Sequence, residues 1–286
     1  MNKLYSLGLY EKALPPDLSW EEKLLAAGDA GFDFLEMSID ESAEKLARLD
    51  MGDSEIKKLI QIMERTGVSI ETMCLSGHRK YPLGSSDPQM RLKAFEIMEK
   101  AISFAEKLGV RIIQLAGYDV FYEPSTRETK ARFKMGLEIA VNMAAKSGIL
   151  LGFETMDTEF MNTIEKAMDV VHNVDSPYLH IYPDLGNLTN AALEYGTSLD
   201  QDFNSGKGSI LALHLKETAP KRYRDVPMGK GHVDFPAGIN KAWSMGVRRF
   251  VTEFWYDEKT DWRESLGSAR CMMSEILDRL SANPIP

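Results

Sequence analysis

Four residues of metal-ligand type recur along the second half of the chain: Glu154 in "ILLGFETM", Asp184 in "YLHIYPDLG", His214 in "ILALHLKE" and Glu253 in "RRFVTEFWY". Each closes a short β-rich run, and successive members lie roughly 30 to 40 residues apart, about one strand-helix unit. Taken singly, His214 reads as a core histidine, and each carboxylate as half of an ion pair with a residue such as Lys216. Together they read differently. Three carboxylates aimed at one point in a low-dielectric site repel strongly unless a cation neutralises them. One divalent ion does so, and this oxygen-rich set favours Mn²⁺ or Mg²⁺, with Zn²⁺ and Co²⁺ as alternatives.

The elements that must bring the four together are legible as a repeat. Eight β-rich runs, at residues 4–10, 32–39, 68–77, 110–118, 149–156, 178–186, 210–217 and 248–256, alternate with amphipathic helical segments. Several helices close on a glycine just before the next strand, in "AGDAGFDF", "ERTGVSI", "EKLGVRI", "AKSGILL" and "SMGVRRF". The alternation, with no linker or low-complexity segment, predicts an α/β fold: a single (β/α)8 TIM barrel, one catalytic domain over residues 1–286. A doubly wound open sheet is the alternative, but no Gly-rich phosphate loop follows the first strand.

On a barrel, active sites gather at the C-terminal ends of the strands, where Glu154, Asp184, His214 and Glu253 are expected at one height. Alternation along the strands predicts Leu151, Phe153, Leu211, Leu213, Leu215, Phe250, Thr252 and Phe254 facing the helices. Glu154, His214, Lys216 and Glu253 then face the axis.

Composition sets the outer bounds. The 286 residues are 44% hydrophobic and 27% charged, with no apolar run long enough to span a membrane. A net charge of -9 argues against a nucleic-acid partner, since phosphate backbones are bound through excess Lys and Arg. "MNKLYSLGLYEKALPP" lacks a secretory h-region, and Cys74 and Cys271 form no disulfide framework, so a cytoplasmic protein with reduced thiols is expected.

Further candidates surround the four. Trp255 shares the parity of Glu253 and offers an apolar wall. Glu36, ending the second run, is a candidate for a ligand hydroxyl or for holding a lysine. His78 and Arg79 follow the third run and Lys12 the first, all as substrate contacts. The loop "KETAPKRYRDVPMGKGHVDF" is rich in positive charge, which makes Lys216, Arg222, Arg224, Lys230 and His232 candidates for a phosphate. His172 and His180 receive no role.

At these residues the sequence resembles the ketose 3-epimerases of the xylose-isomerase-like barrel superfamily, whose Glu, Asp, His, Glu metal set matches Glu154, Asp184, His214 and Glu253. More narrowly, "GLYEKALP", "GFDFLEMSIDE", "CLSGHRKYPLGS", "IQLAGYDVFY", "PDLGN", "HLKET" and "VPMGKGHVDF" look like the L-ribulose-5-phosphate (L-xylulose-5-phosphate) 3-epimerases of bacterial L-ascorbate and L-xylulose breakdown. The resemblance runs over nearly the whole chain. One departure stands out: Asn187 occupies a place held by histidine in the free-ketose D-tagatose 3-epimerases, and "PDxGN" is the pattern of the phosphopentulose branch.

The resemblance implies a metal-dependent isomerase that interconverts L-ribulose 5-phosphate and L-xylulose 5-phosphate through a cis-enediolate. Glu154 and Glu253 alternate as general base and acid on opposite faces of C3, and Asp184 and His214 are ligands only. Asn187, with Lys12, Glu36, His78, Arg79, Lys216 and Trp255, is carried as a substrate contact. The expected partner is a small phosphorylated ketose, and a homodimer is an open assembly. An aldose-ketose isomerase of the hexulose-6-phosphate type and a free-ketose 3-epimerase are the alternatives on the same metal site. An apurinic endonuclease is disfavoured by the five histidines and the acidic charge, and a non-catalytic sugar sensor by the two opposed glutamates.

Overall fold

The computed structural model describes residues 3–282; residues 1–2 and 283–286, the ends of the expected 1–286 domain, lie outside the described residues. All eight expected strands are present. They are β1 (Ser6–Tyr10), β2 (Phe34–Ile39), β3 (Ser69–Leu75), β4 (Ile112–Ala116), β5 (Leu150–Glu154), β6 (Leu179–Ile181), β7 (Leu213–Lys216) and β8 (Arg249–Glu253). The helices between and after them are α1 (Trp20–Asp29), α2 (Ala43–Ala47), α3 (Asp53–Thr66), α4 (Pro88–Leu108), α5 (Arg127–Lys146), α6 (Ile164–Val174), α7 (Leu185–Tyr195), α8 (Leu199–Ser205), α9 (Phe235–Ser244) and α10 (Trp262–Ala282). The five glycines expected to stop helices, Gly31, Gly67, Gly109, Gly148 and Gly246, all have positive φ.

The strands form one sheet in the order β6-β5-β4-β3-β2-β1-β8-β7, with every ladder parallel. Its two end strands, β6 and β7, meet through isolated parallel bridges, Ile181 to Ile210 and Asp184 to His214. The amides of Ile181, Leu211 and His214 donate across this seam at 2.9 to 3.0 Å. The ring is therefore closed, as expected for a TIM barrel.

Two layers of side chains follow from strand alternation. Leu7, Leu9, Leu35, Met37, Ile113, Leu151, Phe153, Leu213, Leu215 and Phe250 pack outward in the core shared with the helices. Burying each large apolar side chain stabilises by about 1.5 to 3 kcal/mol. Inside the ring a smaller cluster holds Tyr10, Phe34, Cys74, Ile112, Tyr182, Ala212 and Val251. Leu211 is a correction: it packs on this inner cluster, because it lies before β7 at the irregular seam, where alternation does not apply.

Two more expectations change in detail. The sixth run yields only three strand residues, so Asp184 lies beyond β6 instead of ending it. Nor do the four candidate ligands share one height in the register, since His214 pairs with Val251 while Glu253 pairs with Lys216. Strand tilt in a barrel makes level side chains come from staggered register positions. In β3 a bulge also falls at Glu71: Leu35 pairs with Ile70, but Glu36 pairs with Thr72. The extra residue turns Thr72 inward, which simple alternation from Ile70 would not do. Among the described residues no helix is long and apolar enough to cross a membrane, and both cysteines are free thiols.

Candidate metal centre and surrounding cavity

Glu154 is the last residue of β5 and Glu253 the last of β8, whereas His214 lies inside β7 and Asp184 caps α7. The cap is formed by Asp184 Oδ1, which accepts the Asn187 amide at 2.6 Å, while Lys216 Nζ lies 3.2 Å from the same atom. The other oxygen, Oδ2, is buried without a hydrogen-bond donor. One ligand atom from each of Glu154, Asp184, His214 and Glu253 lies within 4.8 Å of the others, and all four residues are buried. An orphaned carboxylate oxygen beside two further carboxylates and an imidazole fits a divalent cation.

The electrostatics show what this crowding costs. Burial, then repulsion from Glu253, pushes the Glu154 carboxyl up to about 8. Burial also raises Asp184, to about 7, although Lys216 opposes it. Glu253 goes the other way, because Lys216 and His214 together outweigh its burial. The His214 imidazole is buried, yet Glu36 and Glu253 hold it well above its ordinary value. Its Nδ1 is 2.7 Å from Glu253 Oε2 and its Nε2 is 2.5 Å from Glu36 Oε1.

Glu36 is thus a correction to the sequence reading. It is fully buried beneath the cluster, and its Oε2 accepts from Thr72 at 2.7 Å and Tyr182 at 2.9 Å. No oxygen is left for a sugar, and Glu36 does not line the cavity above.

That cavity, about 40 Å³, is lined by Glu154, Glu253, Lys12, Arg79, Asn187, Lys216, Arg224 and Trp255 from the expected set. Tyr10, Cys74, Ser76, Tyr118, Met156, Asp157 and Tyr223 complete it, none of them singled out by sequence. Tyr10, which ends β1 with inward parity, and Met156, which shares the parity of Glu154 in the fifth run, carry a sequence signal that could have found them. The Asn187 amide nitrogen donates to the Thr155 carbonyl at 2.7 Å, and its Oδ1 is buried and unpaired. Trp255 stands edge-on to Tyr10, with the Arg224 guanidinium 4.9 Å from its ring. Beyond Trp255 a groove of about 990 Å³ opens between the loops after β7 and β8, and shares Lys216, Glu253 and Trp255 with the cavity.

Of the cations, Lys12 is paired with Asp40 at 2.5 Å, and Lys216 is tied to Asp184. Arg79 stacks on Phe121 and Tyr118, and its Nε is buried without a partner. Four expected contacts fall elsewhere. His78 turns under α4, where Nε2 meets the Ala94 carbonyl at 3.1 Å and burial lowers its pKa to about 4, so it is neutral. Arg222 spends its guanidinium on the carbonyls of Arg224 and Asp225 and lines only the outer groove. His232 lies 3.1 Å from the Thr218 hydroxyl, and Lys230 is exposed; neither reaches the cavity lining.

The reason is the loop's own organiser, missed in the sequence. Buried Glu217 accepts the amides of Thr218, Gly229 and Val233 at 3.0 to 3.1 Å, which folds "VPMGKGHV" back on the strand. Gly231 is needed there, because a Cβ would lie 2.0 Å from the Thr218 carbonyl oxygen. Such a fold aims Lys230 outward.

With this geometry in place, comparison with known proteins is informative. Residues 24–272 match the family described as Xylose isomerase-like TIM barrel. The L-ribulose-5-phosphate 3-epimerase UlaE of Escherichia coli is 40% identical over 271 residues, 94% of each chain. The protein of that name from Salmonella heidelberg is 43% identical over 235 residues, 82% of this chain and 81% of its own. Among solved structures, an L-ribulose 3-epimerase superposes with a TM-score of 0.79 at 18% identity, covering 99% of this chain and 100% of that one. The D-psicose 3-epimerase of Clostridium cellulolyticum with D-tagatose gives 0.79 at 16% identity, over 95% of this chain and 99% of its own. At that identity the two structures speak for the fold.

Proposed function

The chain belongs to the L-ribulose-5-phosphate 3-epimerase family of Xylose isomerase-like TIM barrels and is an isomerase of the carbohydrate 3-epimerase kind; on that premise we propose that it interconverts L-ribulose 5-phosphate and L-xylulose 5-phosphate by two-base proton transfer at C3, in cytoplasmic pentose breakdown. The observation that carries this reading is the meeting of Glu154 and Glu253, from strands three places apart in the ring, at one cluster. A single carboxylate can remove a proton and return it to the same face. Inversion needs a second group on the other side.

When held by Glu154, Asp184, His214 and Glu253, a divalent ion, Mn²⁺ or Mg²⁺ by the donor set, supplies positive charge and Lewis-acid polarisation of the ketose oxygens. One glutamate takes the C3 proton as base, and the other delivers a proton to the opposite face as acid; the roles exchange in the reverse direction. Lys216, buried against Asp184, adds a fixed positive charge beside the developing enediolate. Tyr10 and Trp255 form a wall that keeps water from capturing the proton in flight. Arg79 and Arg224 are the cavity's cations without a carboxylate partner among the described residues. They suit the phosphate, whereas Arg222, Lys230 and His232 do not.

The test is proton NMR of L-ribulose 5-phosphate in D₂O with the enzyme. Deuterium entering at C3, with L-xylulose 5-phosphate formed, is the expected result. Deuterium at C1 would instead identify an aldose-ketose isomerase, and full activity of metal-stripped enzyme would remove the ion from the scheme.

A further inference from the structure

The His214 ring has two nitrogens, and only one can face the acidic cluster. Gln114 does not choose between them, since its Nε2 lies 3.3 Å from Nδ1 and 3.2 Å from Nε2. Tyr182 and Tyr10 pack around the ring at 5.0 and 6.1 Å between centroids and do not distinguish the two nitrogens by hydrogen bonding. Glu36 does distinguish them. Its Oε1 is 2.5 Å from Nε2, whereas Nδ1 looks toward Glu253 at 2.7 Å and Glu154 at 3.9 Å.

Glu36 is itself fixed. Thr72 and Tyr182, both fully buried, donate to its Oε2, which leaves Oε1 with His214 as its hydrogen-bond partner. The β3 bulge at Glu71 turns Thr72 into position for this. An ionised carboxylate accepts hydrogen bonds and donates none, so a nitrogen facing one carries a proton; Glu253 belongs to the cluster and can give up that of Nδ1 to a cation, whereas Glu36 lies outside it and keeps that of Nε2.

We propose that Glu36 is the positioning residue of the metal centre: it holds His214 with the proton on Nε2, so that Nδ1 presents its lone pair to the ion, and it does not touch the sugar. This rests on the reading of the cluster as an ion site. A carboxylate on the far nitrogen fixes tautomer and ring orientation and raises the basicity of the ligating nitrogen. The polar groups thereby form one chain, Thr72 and Tyr182 to Glu36, Glu36 to His214, His214 to the cluster.

Two measurements test it. In metal-stripped protein reloaded with Mn²⁺, titration calorimetry of Glu36→Gln should give a Kd about 10- to 100-fold weaker than wild type. Its KM for L-ribulose 5-phosphate at saturating Mn²⁺ should be unchanged. Equal Mn²⁺ affinity in folded Glu36→Gln, or a rise in KM alone, would overturn the assignment. The second needs no variant at Glu36: long-range ¹H-¹⁵N NMR of the Zn²⁺-loaded wild type should show His214 protonated at Nε2, and a proton on Nδ1 refutes the proposal. Wild type that takes up no divalent ion at all would bring down the ion-site reading first, and this role with it.

Discussion

Glu11 and Glu154 both lie at the C-terminal mouth of the barrel, both are buried, and their carboxyls are driven in opposite directions. Burial alone would raise Glu11, but Arg48, Lys45 and Lys23 overcome it and bring its carboxyl down to about 2. Its oxygens accept from Lys45 at 2.6 Å, Arg48 at 2.6 and 2.9 Å and Lys23 at 3.0 Å, with the Ser38 amide at 2.9 Å. Glu154 has no such company. It and the two other carboxylates of the cluster share Lys216 and His214, and the Glu154 carboxyl rises to about 8. One centre is neutralised by the chain itself, so its charge holds α1, α2 and β2 together. The other is left short of positive charge, so its charge is available to a ligand.

The largest effect expected from this contrast is on turnover. Glu154→Gln and Glu253→Gln should each lower kcat by about 10² to 10⁴, as for loss of a general acid or base. Because Glu154→Gln removes the carboxylate that burial and Glu253 oppose, denaturant melts of this metal-free variant should show no loss of stability, whereas Glu253→Gln, which takes a partner from His214 and Lys216, should lose some; a marked loss in Glu154→Gln would mean its carboxylate is structural. The same exchange at Glu11 should do the reverse. Glu11→Gln leaves three cations around a neutral amide and should cost about 3 to 5 kcal/mol in unfolding free energy, with turnover per folded molecule retained. A stable Glu11→Gln that is inactive would break the comparison.

Acidity sharpens it next. Glu11, lowered from 4.5 to about 2, contributes stability that is complete above pH 4.5 and lost as pH falls toward 2, on the order of 3 kcal/mol. Glu154, raised from 4.5 to about 8, binds more protons folded than unfolded across that interval. Metal-free protein should therefore lose stability as pH rises from 4.5 to 8, and saturating Mn²⁺ should remove this slope. Melts of both forms over pH 2 to 9 check both signs. The smallest effect belongs to substrate grip. Arg79→Ala and Arg224→Ala should raise KM for L-ribulose 5-phosphate about 10- to 150-fold, the value of a charge-assisted contact, and leave a free ketose unaffected.

Much of the barrel and of its acidic cluster is legible in the amino-acid sequence. Strands buried on both faces are apolar runs, and glycines that stop helices mark their spacing, so eight strands and the inward parity of Glu154, His214, Lys216 and Glu253 follow directly. What stays hidden depends on approach between distant segments. Glu36 meets His214 across the ring, 178 residues away, and a bulge that alternation cannot show brings Thr72 to it. Glu11 gathers its three cations from α1, α2 and the turn after α2. His78 and Lys230 look alike in sequence, as loop cations; one turns under α4 and the other into solvent, because helix packing and the Glu217 carboxylate decide their directions.

The ring of strands has one weak joint. β6 and β7 touch only at two isolated bridges, and the second joins Asp184 to His214, two residues of the cluster. An ion gripping both spans that joint, so its binding energy also counts toward keeping the ring shut. Occupancy then sets the opening rate of the seam: the amides of Ile181, Leu211 and His214, which carry its hydrogen bonds, should exchange with solvent more slowly as free Mn²⁺ rises above its Kd. On the proposed ion site, the protein without its ion would open first at this seam.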